Sequence, residues 1–220
     1  MDRPRTSGII LDSYTLLHNR LMGLVQRLAD DTDAMVQGKQ QGDPGVWALG
    51  AIALADTAVE IAINHTVETA FPPHSMMPEH WPVHQFAFEH LGKTRPPLDR
   101  LKALTRMQRR SPNWNEEPWA SVRDLHTVRN ALMHYESRPV RSTDPTVTTF
   151  PNAEKLRPIA QRLGTLVLYE GGGTWLEVFL NLTVARWAYE TADRATRLLN
   201  SKEWRWKVPI PPSDLAAGNE

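Results

Sequence analysis

The chain has 220 residues, of which 41% are hydrophobic, and its 25 Lys+Arg balance 25 Asp+Glu. That length makes one domain the default with room for a sizeable core, and the apolar content with 8 Trp excludes a disordered chain. Cysteine is absent, which excludes a disulfide framework, a thiolate zinc site and a Cys nucleophile, and fits a reducing compartment.

The elements read mostly as helices. Leu11 to about Gln37 carries Leu16, Leu17, Leu21, Leu24, Val25 and Leu28 at three- and four-residue spacing, the mark of an amphipathic helix. The stretch GKQQGDPG, Gly38 to Gly45, ends it with glycines and a proline. Trp47 to about Ala70 forms a second helix, apolar on most sides and so predicted to be central. Its exceptions, Asp56, Glu60, Asn64 and Glu68, recur every four residues as one slowly drifting polar stripe. The longest uninterrupted apolar stretch, Val46 to Ala55, is about half of the ~20 residues that a transmembrane helix needs.

Phe71 to Pro97 holds six of the 17 prolines and reads as an irregular insertion with a short helix near Val83 to His90. A third helix is predicted over Leu98 to Arg110 and a fourth from Pro118 to about His134, with the proline in its first turn. Arg138 to Gly173 forms a second insertion. It contains a short helix at Ala153 to Leu163 and two strand candidates, Val147 to Phe150 and Leu166 to Tyr169, which would pair as a small hairpin. Thr174 and Glu177 have capping-box spacing before a last helix over Trp175 to about Asn200. A tail from 201 to 220 completes a single-domain, all-α reading with its core at about 11 to 200. The opening MDRPRTSG has no apolar region of the secretory kind, so the expected location is the cytoplasm, away from membranes.

Zero net charge conceals two poles. From Asp30 to Glu68 seven acids face Lys39 alone; from Lys93 to Arg110 seven bases face Asp99 alone. Such blocks form solvated helix faces or pair with each other inside a fold. The basic block, with Arg106, Arg109 and Arg110 at its end, is also a candidate phosphate-contacting surface.

The fourth helix, WASVRDLHTVRNALMHYE, is the most informative. At about 100° per residue, Leu125, Val128 and Leu132 cluster on one side and face the core. Arg123, His126, Thr127, Asn130 and His134 share the other side, and His126, Asn130 and His134 stand four apart so that each meets the next. Two imidazoles, an amide and a guanidinium without a carboxylate are unlike an ordinary solvated face. A purely structural role, capping loops or bonding to the last helix, is the alternative.

Arg129-Asn130-Ala131-Leu132-Met133-His134, an R-N-x-x-x-H string at a helix end in an all-helical chain, resembles the Arg-x4–6-His signature of the HEPN superfamily. The helix order is similar as well. The resemblance covers about Leu11 to Asn200 and implies a HEPN-like antiparallel helical bundle. It further implies metal-independent RNA cleavage by a homodimer with no cofactor, Arg129 and His134 as the catalytic pair and Asn130 as their polar support. Each residue type suits its task. An imidazole titrating near neutrality takes a proton from a ribose 2′-hydroxyl or gives one to the leaving 5′-oxygen. A guanidinium holds two phosphate oxygens as negative charge grows. Arg123, His126, Arg106, Arg109 and Arg110 are the candidate substrate contacts.

Arg129 and His134 lie about 140° apart on an ideal helix, so they converge only if the last turn distorts or two copies meet across a two-fold axis. Met133 and Tyr135 would then lie near that interface. Because Tyr135 directly follows His134, the His-x-Tyr pattern of some family toxins is not matched. Two alternatives stand beside the ribonuclease. One is a non-catalytic module that binds RNA or a partner in a toxin–antitoxin or defence complex. The other is a zinc hydrolase built on His74, His80, His84 and His90, where His80 and His84 have i, i+4 spacing. The polar stripe of the second helix offers carboxylates to Arg123 or Arg129, and Glu60, taken as buried, is the favoured partner.

Overall fold

A computed structural model describes residues 6–70, 96–107, 112–133, 153–164 and 179–201. The protein is all-α: six helices and no strand occur among the described residues. They are α1 (Thr6–Val36), α2 (Pro44–Ala70), α3 (Pro97–Met107), α4 (Trp119–Met133), α5 (Ala153–Arg162) and α6 (Leu182–Asn200). Both strand candidates, residues 71–95 of the expected 71–97 insertion and the Thr174–Glu177 cap lie outside the described residues, and Pro97 opens α3.

Local chemistry explains the ends. At the close of α1 the Gly38 amide donates to Met35 O and the Lys39 amide to Ala34 O, at 3.0 and 2.8 Å. This is the double bond of a Schellman cap, and it needs the left-handed φ of 69° that Gly38 adopts. Asp43 then caps α2: its Oδ1 accepts from the Gly45 amide at 2.8 Å, with Pro44 at the first helical position. The last helix, expected to run unbroken from Trp175, is interrupted among the described residues. Leu180 and Asn181 break the helical path, and Asn181 restarts it by accepting from the Val184 amide through Oδ1 at 3.2 Å. Asparagine competes for backbone groups, which makes it a better cap than an interior residue.

The chain forms two compact units, Met1–Val59 with Asn115–Ala195, and Glu60–Trp114 with Thr196–Glu220. In the first, α1 buries Val25, Ala29, Thr32 and Met35, while Leu16, Leu17 and Leu24 are exposed. The buried column therefore runs beside the leucine stripe predicted to face inward. α2 contributes Ala48, Ala51, Ile52, Ala55 and Val59, and α4 contributes Leu125, Val128 and Leu132 on the expected side. The short buried side of α5 is Leu156, Ile159 and Ala160, and α5 packs on α4, where Arg162 pairs with Asp124. α6 buries a column of alanines, 185, 188, 192 and 195, beneath Phe179 and Val184. On its outer side Arg186 bonds Asp33 of α1 at 2.7 Å, so this acid of the negative pole finds its cation in the last helix.

In the second unit Ile63, Val67, Leu101 and Leu104 are buried. Arg100 of α3, only 3% exposed, donates to Asn64 of α2. Burial lowers the Arg100 pKa, against the opposing field of Glu68 and then Glu60. Burial likewise lowers His65, with Glu68 opposing. α2 as a whole is long and apolar enough to cross a membrane by composition, and half of its most apolar window is buried within the protein.

Candidate functional site

Four side chains of α2 and α4 in the first unit close into a ring. Asp56, three residues before the end of the α2 portion in this unit, has a side chain only 8% exposed. Its Oδ2 lies 3.2 Å from Nδ1 of His126 and 3.8 Å from Nε of Arg129. Nη1 of Arg129 donates to Oδ1 of Asn130 at 2.8 Å. Nδ2 of Asn130 lies 3.0 Å from Nε2 of His126, which closes the circuit.

The placement follows from helix periodicity. His126, Arg129 and Asn130 are i, i+3 and i+4 on α4, hence neighbours on one face. Leu125, Val128 and Leu132 hold the opposite face in the core. Asp56 is the member of the α2 stripe that meets this face. Glu60, favoured from sequence as the buried carboxylate, is exposed, and its field acts on Arg100. The stripe turns about 40° with each four-residue step, so Asp56 and Glu60 leave the helix in different directions.

Donor and acceptor inventories assign the protons. A guanidinium only donates, so the atom of Asn130 facing Arg129 is the carbonyl oxygen. The amide nitrogen must then face His126, whose Nε2 accepts. With Nε2 unprotonated, the proton of a neutral ring resides on Nδ1 and is donated to Asp56. The ring therefore closes around one tautomer of a neutral imidazole. A buried carboxylate with two cationic or donor partners on one oxygen is also well compensated for its lost hydration.

His126 and Arg129 retain 41% and 34% side-chain exposure, enough for a ligand to reach them. Arg123 is exposed one turn earlier, where Nη1 bonds Asn115 Oδ1 at 3.2 Å, and Thr127 returns its hydroxyl to Arg123 O at 2.9 Å. Met133, 59% exposed, ends α4. His134 and Tyr135 lie outside the described residues, as do Arg109, Arg110 and the quartet His74, His80, His84 and His90. Arg106 is exposed on α3 of the second unit. Within the basic block, Arg100 is a buried structural cation, and Lys102 lies 5.9 Å from the Trp114 ring and 3.7 Å from Asp99. Among the described residues no group of three or more His, Asp or Glu is arranged to hold a metal ion.

Sequence reasoning named three members of the ring and placed Asp56 in the stripe that supplies the fourth. The signal that could have singled out Asp56 is its isolation: it interrupts the most apolar stretch of the chain. A carboxylate there must find a cation. No family model, curated protein or solved structure matches this chain.

Proposed function

We propose that this protein is a HEPN-type, metal-independent endoribonuclease that acts as a homodimer, with Arg129, Asn130 and His134 at the site. The observation that carries this reading is the state of Arg129 and Asn130. Both are half-buried at the C-terminal end of α4, bonded to each other and joined to an imidazole, one turn before His134. A guanidinium so placed suits a phosphate, because planar donors match its oxygens two at a time. An imidazole beside it suits proton transfer at the adjacent ribose. The exposed Met133 beside His134 supports a two-fold contact through the end of α4.

The reaction joins the 2′-oxygen to phosphorus and breaks the bond from phosphorus to the 5′-oxygen, leaving a cyclic 2′,3′-phosphate and a 5′-hydroxyl. One group removes the 2′ proton, another protonates the departing oxygen, and Arg129 balances the charge that accumulates on phosphate.

Purified protein incubated with single-stranded RNA in EDTA tests this reading. Cleavage to a cyclic phosphate is expected, with Arg129→Ala and His134→Ala each abolishing it while helical circular dichroism is unchanged. Full activity in either variant overturns the assignment. Tight RNA binding without cleavage would instead favour the non-catalytic module. Light scattering should give twice the 25.0 kDa chain mass.

A further inference from the structure

We propose that Asp56 is a positioning residue that presents His126 as a second proton-transfer imidazole, masked by Asn130 until a phosphate claims Arg129. This rests on the ribonuclease reading for its chemistry, while the tautomer it requires can be measured without RNA.

RNA cleavage needs two proton transfers. A single imidazole performs one of them in a given turnover. The ring supplies another imidazole on the same face of α4, and its Nδ1 is already tied to a buried carboxylate. That tie does three things. It holds the ring plane, it keeps the proton on Nδ1 so that Nε2 carries a lone pair, and it favours the imidazolium once Nε2 accepts a proton. An Asp–His pair of this kind is poor as a surface ion pair but well suited to a base that must charge transiently.

In the resting ring the lone pair is covered, because Nδ2 of Asn130 sits 3.0 Å from Nε2. Asn130 is held there by Arg129, which occupies its Oδ1 at 2.8 Å. Arg129 is thus both the clasp of the ring and the group with charge for phosphate. Arg129 is drawn to Asp56 only through a 3.8 Å ion-pair contact, a weak hold compared with a bidentate phosphate. When phosphate takes the guanidinium, Asn130 loses the donor that fixed its amide, and Nε2 is released.

His126 Nε2 then takes the 2′-hydroxyl proton as that oxygen bonds to phosphorus. The bond to the 5′-oxygen breaks with its electron pair, and that oxygen takes a proton from His134. Asp56 from α2 pairs with His126, and Arg129 on the same helix as His126 shares that carboxylate.

The experiment pairs NMR with kinetics on the full chain. Long-range 1H–15N spectra of the wild type should show His126 as the Nδ1–H tautomer, and Asp56→Asn should mix the tautomers. Inorganic phosphate, added without RNA, should perturb the Asn130 side-chain amide in the wild type but not in Arg129→Ala. In EDTA, His126→Gln should lower kcat at least about tenfold with KM nearly unchanged and remove one limb of the pH–rate profile. An Nε2–H tautomer in the wild type overturns the proposal even if Asp56→Asn fails to fold. An unchanged pH profile in His126→Gln overturns it as well. A wild type that cleaves no RNA but shows the Nδ1–H tautomer and the phosphate response sinks the ribonuclease reading and leaves Asp56 as the residue that sets the ring.

Discussion

Arg129 donates Nη1 to the side chain of the very next residue, Asn130, at 2.8 Å. Adjacent helical side chains leave the axis about 100° apart and normally diverge. Their meeting requires both to lean toward a common third point, and here that point is the Asp56–His126 pair. The arrangement makes Asn130 an adaptor that converts an all-donor guanidinium into a donor toward an imidazole.

Replacing Asn130 by Asp removes that conversion. The carboxylate accepts from Arg129 but has nothing to donate, so Nε2 of His126 must itself carry a proton to bond it. His126 then lies between two carboxylates. Its NMR titration should move to higher pH in Asn130→Asp than in the wild type, whereas Asn130→Gln should not raise it.

Arg123 should act on RNA through charge alone. It is exposed and outside the ring, with Asn115 as its hydrogen-bond partner. Anisotropy titrations of single-stranded RNA against a His134→Ala background should show Arg123→Ala weakening binding. The slope of log K against log salt should shrink by about 0.7 for the one lost phosphate contact. The cleavage pattern of the otherwise wild-type protein should not change.

Leu125 is wholly buried on the opposite face of α4 from the site. Leu125→Ala removes apolar volume and leaves a cavity, a change that costs about 2–5 kcal/mol. Urea denaturation should show the midpoint falling accordingly. The Nδ1–H tautomer of His126 should persist below the transition, since the ring draws on the other side of the helix.

Burial holds His65 below the ordinary histidine value of 6.5, with Glu68 opposing. Above that value neither folded nor unfolded His65 binds a proton, so the full stability is present. As pH falls below about 6.5 the unfolded chain takes up a proton that the folded chain resists, and stability declines until the folded ring also protonates. Urea midpoints between about pH 7.5 and 5 should therefore fall less in His65→Gln than in the wild type.

Much of this was legible beforehand, for identifiable reasons. Helix ends at Gly38 and Asp43–Pro44 depend on neighbours in sequence, so local chemistry reveals them. The inward side of α4 was also legible, because Leu125, Val128 and Leu132 fall together in one apolar column. The burial of α1 was not. Its apolar arc is broader than the surface that covers it, and periodicity alone cannot tell Val25 and Ala29 from Leu17 and Leu24. The choice between Asp56 and Glu60 failed similarly, since a drifting stripe fixes relative directions but not which one meets a partner. At Asn181, the apolar run on both sides concealed a cap.

The alanine column of α6 also sets how this protein can tolerate change. Ala185, Ala188, Ala192 and Ala195 are all fully buried. Where the contact surface is nearly bare backbone, neighbouring helices settle at the short end of the usual 8–10 Å spacing. A methyl group there has little left to lose and no room to grow. Trimming to glycine sacrifices mostly helix propensity, about 1 kcal/mol, whereas enlargement to leucine must push an entire neighbour outward. Variation along this helix is therefore lopsided: its inner side is a size limit, and its outer side, Arg186 with its bond to Asp33 apart, sets none.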